Sequence, residues 1–256
     1  MADAVSARIW GAGSLRLPFI GEGGVFADVQ PPPECRFGPS GTLAEAIFAG
    51  EQWDVYCSAD QDHPRRLFEA GLAARPKAFA SNRLAVLYLK SRGFHAENIL
   101  GALLDPAVRI GMSTPGADPS GDYAQQLLAR LGQAFPEARS DLVARSEVLT
   151  GGGERVPVEG PLGRYATIVA DGHADVMLCY ETICLDACAR SENLAFARLP
   201  PAQEVGAVYG ATVPRDADDR GLGLFEFLFS EEAQARLATF GFGPPPPEGI
   251  GDAAGD

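Results

Sequence analysis

The chain has 256 residues, of which 46% are hydrophobic and 21% charged, a balance that supports a packed core and rules out wholesale disorder. Twenty-one Lys and Arg against 34 Asp and Glu give a net charge of −13, which repels nucleic-acid phosphates and anionic lipid headgroups and argues against nucleic acid as a partner. No apolar run approaches the roughly 18 residues that a transmembrane helix requires.

In chain order, short apolar runs alternate with amphipathic stretches. Residues 7–11 (ARIWG) predict a strand that ends in Gly-Ala-Gly-Ser. A short helix is expected over 42–49, where Thr42 and Glu45 have capping-box spacing. A buried strand over 53–57 (WDVYC) and a helix over 64–73 follow, then a strand over 83–89 and a helix over 97–104. The run 108–112 enters a Gly/Pro/Ser loop, with helices expected over 123–135 and 140–149. Beyond the loop 151–163, the pattern predicts a helix over 164–171, a buried strand over 174–180 (ADVMLCY) and a helix over 183–190. A strand over 205–213 and helical sequence over 221–240, restarting at Ser230, complete the folded part. The Pro/Gly-rich tail, 243–256, is expected to be disordered.

Strands alternating with helices predict an α/β fold with mostly parallel sheets. A crossing near Ser81 and Asn82 and a return near 194–201 divide the chain into two lobes. The first comprises 1–81 plus 195–242 and the second 82–194. In such folds ligands meet the carboxyl ends of the strands, where loops lead into helix N-termini.

Four stations with small or hydroxyl side chains fall at such turns: Gly11–Ser14, Gly38–Thr42, Pro119–Gly121 and Leu178–Tyr180. Unpaired backbone N–H groups, a hydroxyl and the positive end of a helix favour an anion at these places. Singly, each station is also an ordinary cap or turn. Several together supply neutral donors, a coherent way for an acidic protein to hold a small dianion.

The order of the stations resembles that in the periplasmic molybdate-binding proteins of ABC importers. The stretches that carry the resemblance are WGAGSL (10–15), FGPSGTLAEAI (37–47), DVYCSAD (54–60), NRLAVL (82–87), PGADPSGDYAQQLL (115–128), ADVMLCYET (174–182) and SEEAQARLATFGF (230–242). The resemblance implies a two-lobed type II periplasmic-binding-protein fold, each lobe a mostly parallel sheet flanked by helices, with the ligand cleft between the lobes. It further implies capture of molybdate or tungstate without catalysis or a cofactor, a membrane ABC permease as partner, a monomeric state, and a periplasmic location with the signal peptide missing from this sequence. Carried over by position, Ser14 and Ser40 are ligand serines, Ser120 a backbone N–H donor and Tyr180 a hydroxyl donor. A further backbone donor is implied near Leu162. One departure from the family is 16–33, which holds Pro18, Gly21, Gly23, Gly24 and Pro31-Pro-Pro where the family has an amphipathic helix, so no regular helix is expected there. It motivates a second reading, the same fold holding a different small anion, an organic acid or another oxyanion.

A third reading, from another class, is a cytosolic enzyme or sensor. Of the five cysteines, Cys184 and Cys188 lie four residues apart with His173 near in sequence, a spacing that places both thiols on one helix face. The simpler account has both on a buried apolar face, and no usual zinc spacing occurs. Asp60 and Asp62 read as a helix-start region, while His63 and His95 sit in polar sequence and are expected to be exposed. No nucleophile elbow, P-loop or dinucleotide fingerprint is present.

Overall fold

A computed structural model describes residues 6–136, 142–152, 160 and 162–247. The contacts divide the chain into two units. One is built from residues up to Asn82 together with those from Ala207 on, and the other from Arg83–Gly206.

In the first unit, β1 (Arg8–Ala12) pairs in parallel with both β2 (Glu34–Gly38) and β3 (Val55–Ser58). β9 (Gly206–Thr212) runs antiparallel to β3, with Tyr56 opposite Thr212, and neighbours the long β4 (Lys77–Leu89). The helices α2 (Ser40–Phe48) and α3 (Asp62–Glu69) follow β2 and β3. Trp10, Leu43, Ile47, Trp53, Tyr56 and Leu67 form the apolar core beneath them. All four residues of β3 are buried, the signature of a strand covered on both faces.

The segment after β1 is the departure noted in the sequence. A five-residue helix, α1 (Arg16–Ile20), carries Pro18 in its first turn and ends at Gly21; turns follow. Phe19 and Phe26, both buried, meet edge to face at 5.0 Å and anchor these turns, with Phe37 and Phe79 also against Phe19. Two helices, α9 (Asp219–Phe227) and α10 (Glu231–Thr239), close this unit. Asp218 and Ser230 cap them through their side chains.

In the second unit, β5 (Ile110–Ser113) pairs in parallel with β6 (Glu147–Thr150) and β7 (Val176–Tyr180). The latter part of β4 runs antiparallel to β7 and to β8 (Leu194–Arg198). α4 (Ile99–Leu104) precedes β5, α5 (Pro119–Ala134) and α6 (Leu142–Arg145) lie between β5 and β6, and α7 (Arg164–Ala170) precedes β7. α8 (Glu181–Arg190) follows β7. Leu149, Ile168, Val169, Met177, Cys179 and Cys184 share one apolar cluster.

The structure corrects several expectations. The return to the first unit comes at Ala207, later than 195, because β8 pairs with the second-unit half of β4. Residues 142–149 are a four-residue helix and then a strand, since the Ser146 hydroxyl folds back onto the Val143 carbonyl and ends the helix. α5 begins at Pro119 instead of Tyr123, with proline in the first turn and Asp118 as cap. Gly243, expected at the start of a disordered tail, exchanges two 2.9 Å backbone hydrogen bonds with Ser81; residues 248–256 lie outside the described residues.

Candidate functional site

Parallel pairing brings the first unit's stations to one end of its sheet. Ala12 lies opposite Gly38, and Gly11 opposite Cys57, so Ser14, Ser40 and Ala59 follow the carboxyl ends of three adjacent strands. Ser14, partly exposed in a short turn after β1, shares a 2.8 Å hydrogen bond with the hydroxyl of Tyr209. Tyr209 is fully buried on β9, edge-on to Phe79 and Phe242, and also accepts a 3.5 Å bond from the Asn82 amide. Ser40, 1% exposed, opens α2. Its hydroxyl oxygen accepts the backbone N–H of Ala59 at 3.1 Å, and its carbonyl accepts the Tyr56 hydroxyl at 2.7 Å.

That Ala59 contact gives Ser40 a structural task. Ser40→Ala is expected to remain folded but lose about 1–2 kcal/mol, because the buried Ala59 N–H loses its acceptor. Urea denaturation checks this, and an unchanged midpoint would show that the bond contributes nothing.

The same end of β3 holds a buried polar cluster that corrects the expected exposure of His63. His63 is 7% exposed, and its Nδ1 donates to Asp60 at 2.6 Å. The Ser58 hydroxyl donates to the same carboxylate at 2.7 Å. The carboxylate lies between serine and imidazole, so the histidine is not placed to activate the serine as a nucleophile.

In the second unit, β5 ends at Ser113 and β7 at Tyr180. Asp118 caps α5: one carboxylate oxygen accepts the backbone N–H of Ser120 at 3.1 Å, the other the hydroxyls of Ser113 at 2.6 Å and Tyr165 at 3.3 Å. Burial pushes the Asp118 carboxyl up from its ordinary value, against the pull of these bonds. The Ser120 backbone N–H, expected to face a ligand, is thus taken by Asp118. The Ser120 hydroxyl is different: it is fully buried and has no hydrogen-bond partner among the described residues.

Tyr180, 2% exposed, precedes α8, and its ring meets Tyr123 of α5 at 6.4 Å. The next residue, Glu181, is clamped. Arg198 reaches it with two bonds of 2.6 and 3.0 Å, and Arg83 lies 3.4 Å away. This fixes the turn that carries Tyr180. Leu162, half-buried, packs against the apolar cluster of this unit; Glu154, Arg155 and Glu159 of the same loop lie outside the described residues.

The Cys/His grouping does not assemble as a metal centre. His173 is exposed, Cys184 is buried and Cys188 half-buried, and among the described residues no group of three or more His, Cys, Asp or Glu can hold a metal. Sequence reasoning missed Tyr209 and Asn82, whose contacts to the Ser14 region come from strands far along the chain.

Residues 34–243 match the family of bacterial extracellular solute-binding proteins. The uncharacterized protein PM1146 of Pasteurella multocida is 34% identical over 177 residues, 68% of this chain and 73% of that protein. The Azotobacter vinelandii periplasmic molybdate-binding protein superposes with a TM-score of 0.73 at 18% identity, covering 94% of this chain and 100% of that one. The sulfate-binding protein SubI of Mycobacterium tuberculosis superposes at 0.74 with 15% identity, over 95% of this chain and 88% of that one. These superpositions establish the fold. No helix among the described residues is long and apolar enough to cross a membrane.

Proposed function

Because the chain belongs to the family of bacterial extracellular solute-binding proteins, we propose that it captures a small oxyanion, molybdate or tungstate, and delivers it to a membrane ABC permease. It acts by binding alone, outside the cytoplasmic membrane. The observation that carries this reading is the Ser120 hydroxyl, buried without a partner in the first turn of the 16-residue helix α5. A buried hydroxyl left without an acceptor is costly, and an anion oxygen at the positive end of a helix is the acceptor that suits it. Ser14 and Ser40 in the first unit, Tyr180 in the second and a backbone N–H near Leu162 complete the proposed donor set. All are neutral, and selectivity between molybdate and sulfate then rests on size, since both carry the same charge.

Asp118 favours a second reading. An ionised carboxylate beside Ser120 repels a dianion, and it accepts a hydrogen bond from a ligand that brings its own hydrogen. A hydroxy acid or a singly protonated oxyanion has that hydrogen; molybdate does not.

Ser120→Ala tests the shared core of both readings. The apo protein is expected to melt at or slightly above the wild-type temperature, because the variant removes an unsatisfied hydroxyl. Ligand affinity is expected to fall by about 1.5–3 kcal/mol, the usual loss for a hydrogen bond to a charged group. Calorimetry showing wild-type affinity would take Ser120 out of the site.

A further inference from the structure

We propose that Cys179 and Cys184 form a disulfide when the chain folds in the presence of a disulfide-bearing oxidant, and that the bond staples the turn carrying Tyr180. Cys179 is the last residue but one of β7, and Cys184 lies in the first turns of α8. Their sulfurs are 3.4 Å apart, and both residues are fully buried. A disulfide brings sulfurs to about 2.05 Å, so closure needs an approach of little more than 1 Å between two consecutive elements.

Two other pairings are poorer. Cys184 and Cys188 stand four residues apart on one helix, where Cβ atoms lie about 5–6 Å apart. A disulfide holds its Cβ atoms at about 3.5–4.5 Å. Cys35 and Cys57 sit on β2 and β3, with β1 between them. Two strand spacings, about 9–10 Å, separate them.

The chemistry balances as two thiol–disulfide exchanges. A thiolate of the pair attacks one sulfur of the oxidant and releases a thiol. The second thiolate then attacks the mixed disulfide and releases the other. The cysteines lose two electrons and two protons, and the oxidant's disulfide becomes two thiols. Burial, with Cys179 beside it, raises the Cys184 thiol well above its ordinary pKa, so exchange is slow once the core has packed. The bond therefore forms during folding, before α8 docks. Extracytoplasmic compartments supply such oxidants, and the family's location places the chain there. The closed loop holds Tyr180 and Glu181, so the staple adds to the arginine clamp on the same turn.

The test uses the full chain, reduced and unfolded, refolded with oxidised glutathione, then alkylated and cleaved with trypsin. No Lys or Arg lies between Arg164 and Arg190, so one peptide, 165–190, carries Cys179, Cys184 and Cys188. The expected peptide bears a single alkyl group, on Cys188, and is two hydrogens lighter than the same singly alkylated peptide with free thiols. The Cys188→Ser variant is expected to show the same two-hydrogen loss with no alkyl group. Three alkyl groups on the wild-type peptide, or a glutathione or alkyl adduct on Cys179 or Cys184, would overturn the assignment.

Discussion

Gly121→Ala is expected to destabilise the protein by about 3 kcal/mol, near the upper end for overpacking. A Cβ at Gly121 would lie 2.6 Å from the backbone nitrogen of Pro115, 2.6 Å from the Thr114 carbonyl carbon and 2.7 Å from the Ser113 carbonyl oxygen. These are backbone atoms, so no side chain can swing aside, and α5 must lift off the end of β5. Gly132 lies in the same helix with nothing within 4 Å of its would-be Cβ. Gly132→Ala is expected to stabilise by about 0.5–1 kcal/mol through helix propensity alone. Urea denaturation of the pair separates close packing from propensity. Equal midpoints would mean that α5 does not rest on that loop, and the burial of Ser120 would go with it.

Asp175→Ala is the second large effect, with an expected loss of about 2–3 kcal/mol at neutral pH. Asp175, 6% exposed, accepts Arg109 through the backbone N–H at 3.0 Å and the guanidinium at 2.7 and 3.3 Å, and Arg92 lies at 3.0 Å. Both arginines are substantially exposed and rehydrate when the carboxylate is removed, which keeps the loss below that of a fully buried pair. Burial alone would raise the Asp175 carboxyl; the Arg109 bonds and the Arg92 charge outweigh it, and the net direction is down. A carboxyl lower in the folded state than its unfolded value of about 3.9 contributes fully above that value. The contribution fades as pH falls through the folded pKa. The gap between wild type and Asp175→Ala is therefore expected to hold from neutral pH to about pH 5 and to narrow below about pH 4. A gap that widens on acidification would contradict the assignment.

The alternation of strands and helices is legible because β3, β5 and β7 are buried along their whole length and read as unbroken apolar runs. β2 and β8 escape notice for the opposite reason. Glu34–Gly38 is partly exposed throughout and follows a proline run, and Leu194–Arg198 is half-buried, so neither shows a clean period. Ser14 and Tyr180 are visible as candidates because a legible strand ends beside each, and Ser40 and Ser120 because a short Gly/Pro/Ser stretch leads into a helix there. Tyr209 gives no such sign: its bond to Ser14 spans 195 positions, and in its own strand it is one more alternating residue. His63 is hidden differently, since its polar neighbours in sequence include the carboxylate that allows its burial. Likewise, the sequence pattern places the helix start at Tyr123, and only the folded chain shows Asp118 capping α5 and taking the backbone N–H that the resemblance assigns to a ligand.

Capture of a small oxyanion stands or falls on a thermal-melt titration of the wild type and Ser120→Ala with molybdate, tungstate, sulfate, phosphate and small hydroxy acids. A ligand that binds only the folded state adds about 2.7 kcal/mol of stability at a hundred times its Kd, so a true ligand moves the wild-type melt by several degrees. The predicted result is a rise with molybdate and tungstate, a much smaller one with sulfate, and a reduced rise in Ser120→Ala. A rise confined to phosphate or the hydroxy acids would move the assignment to a ligand that brings its own hydrogen to Asp118, and a wild-type melting curve that none of these anions shifts would contradict the account.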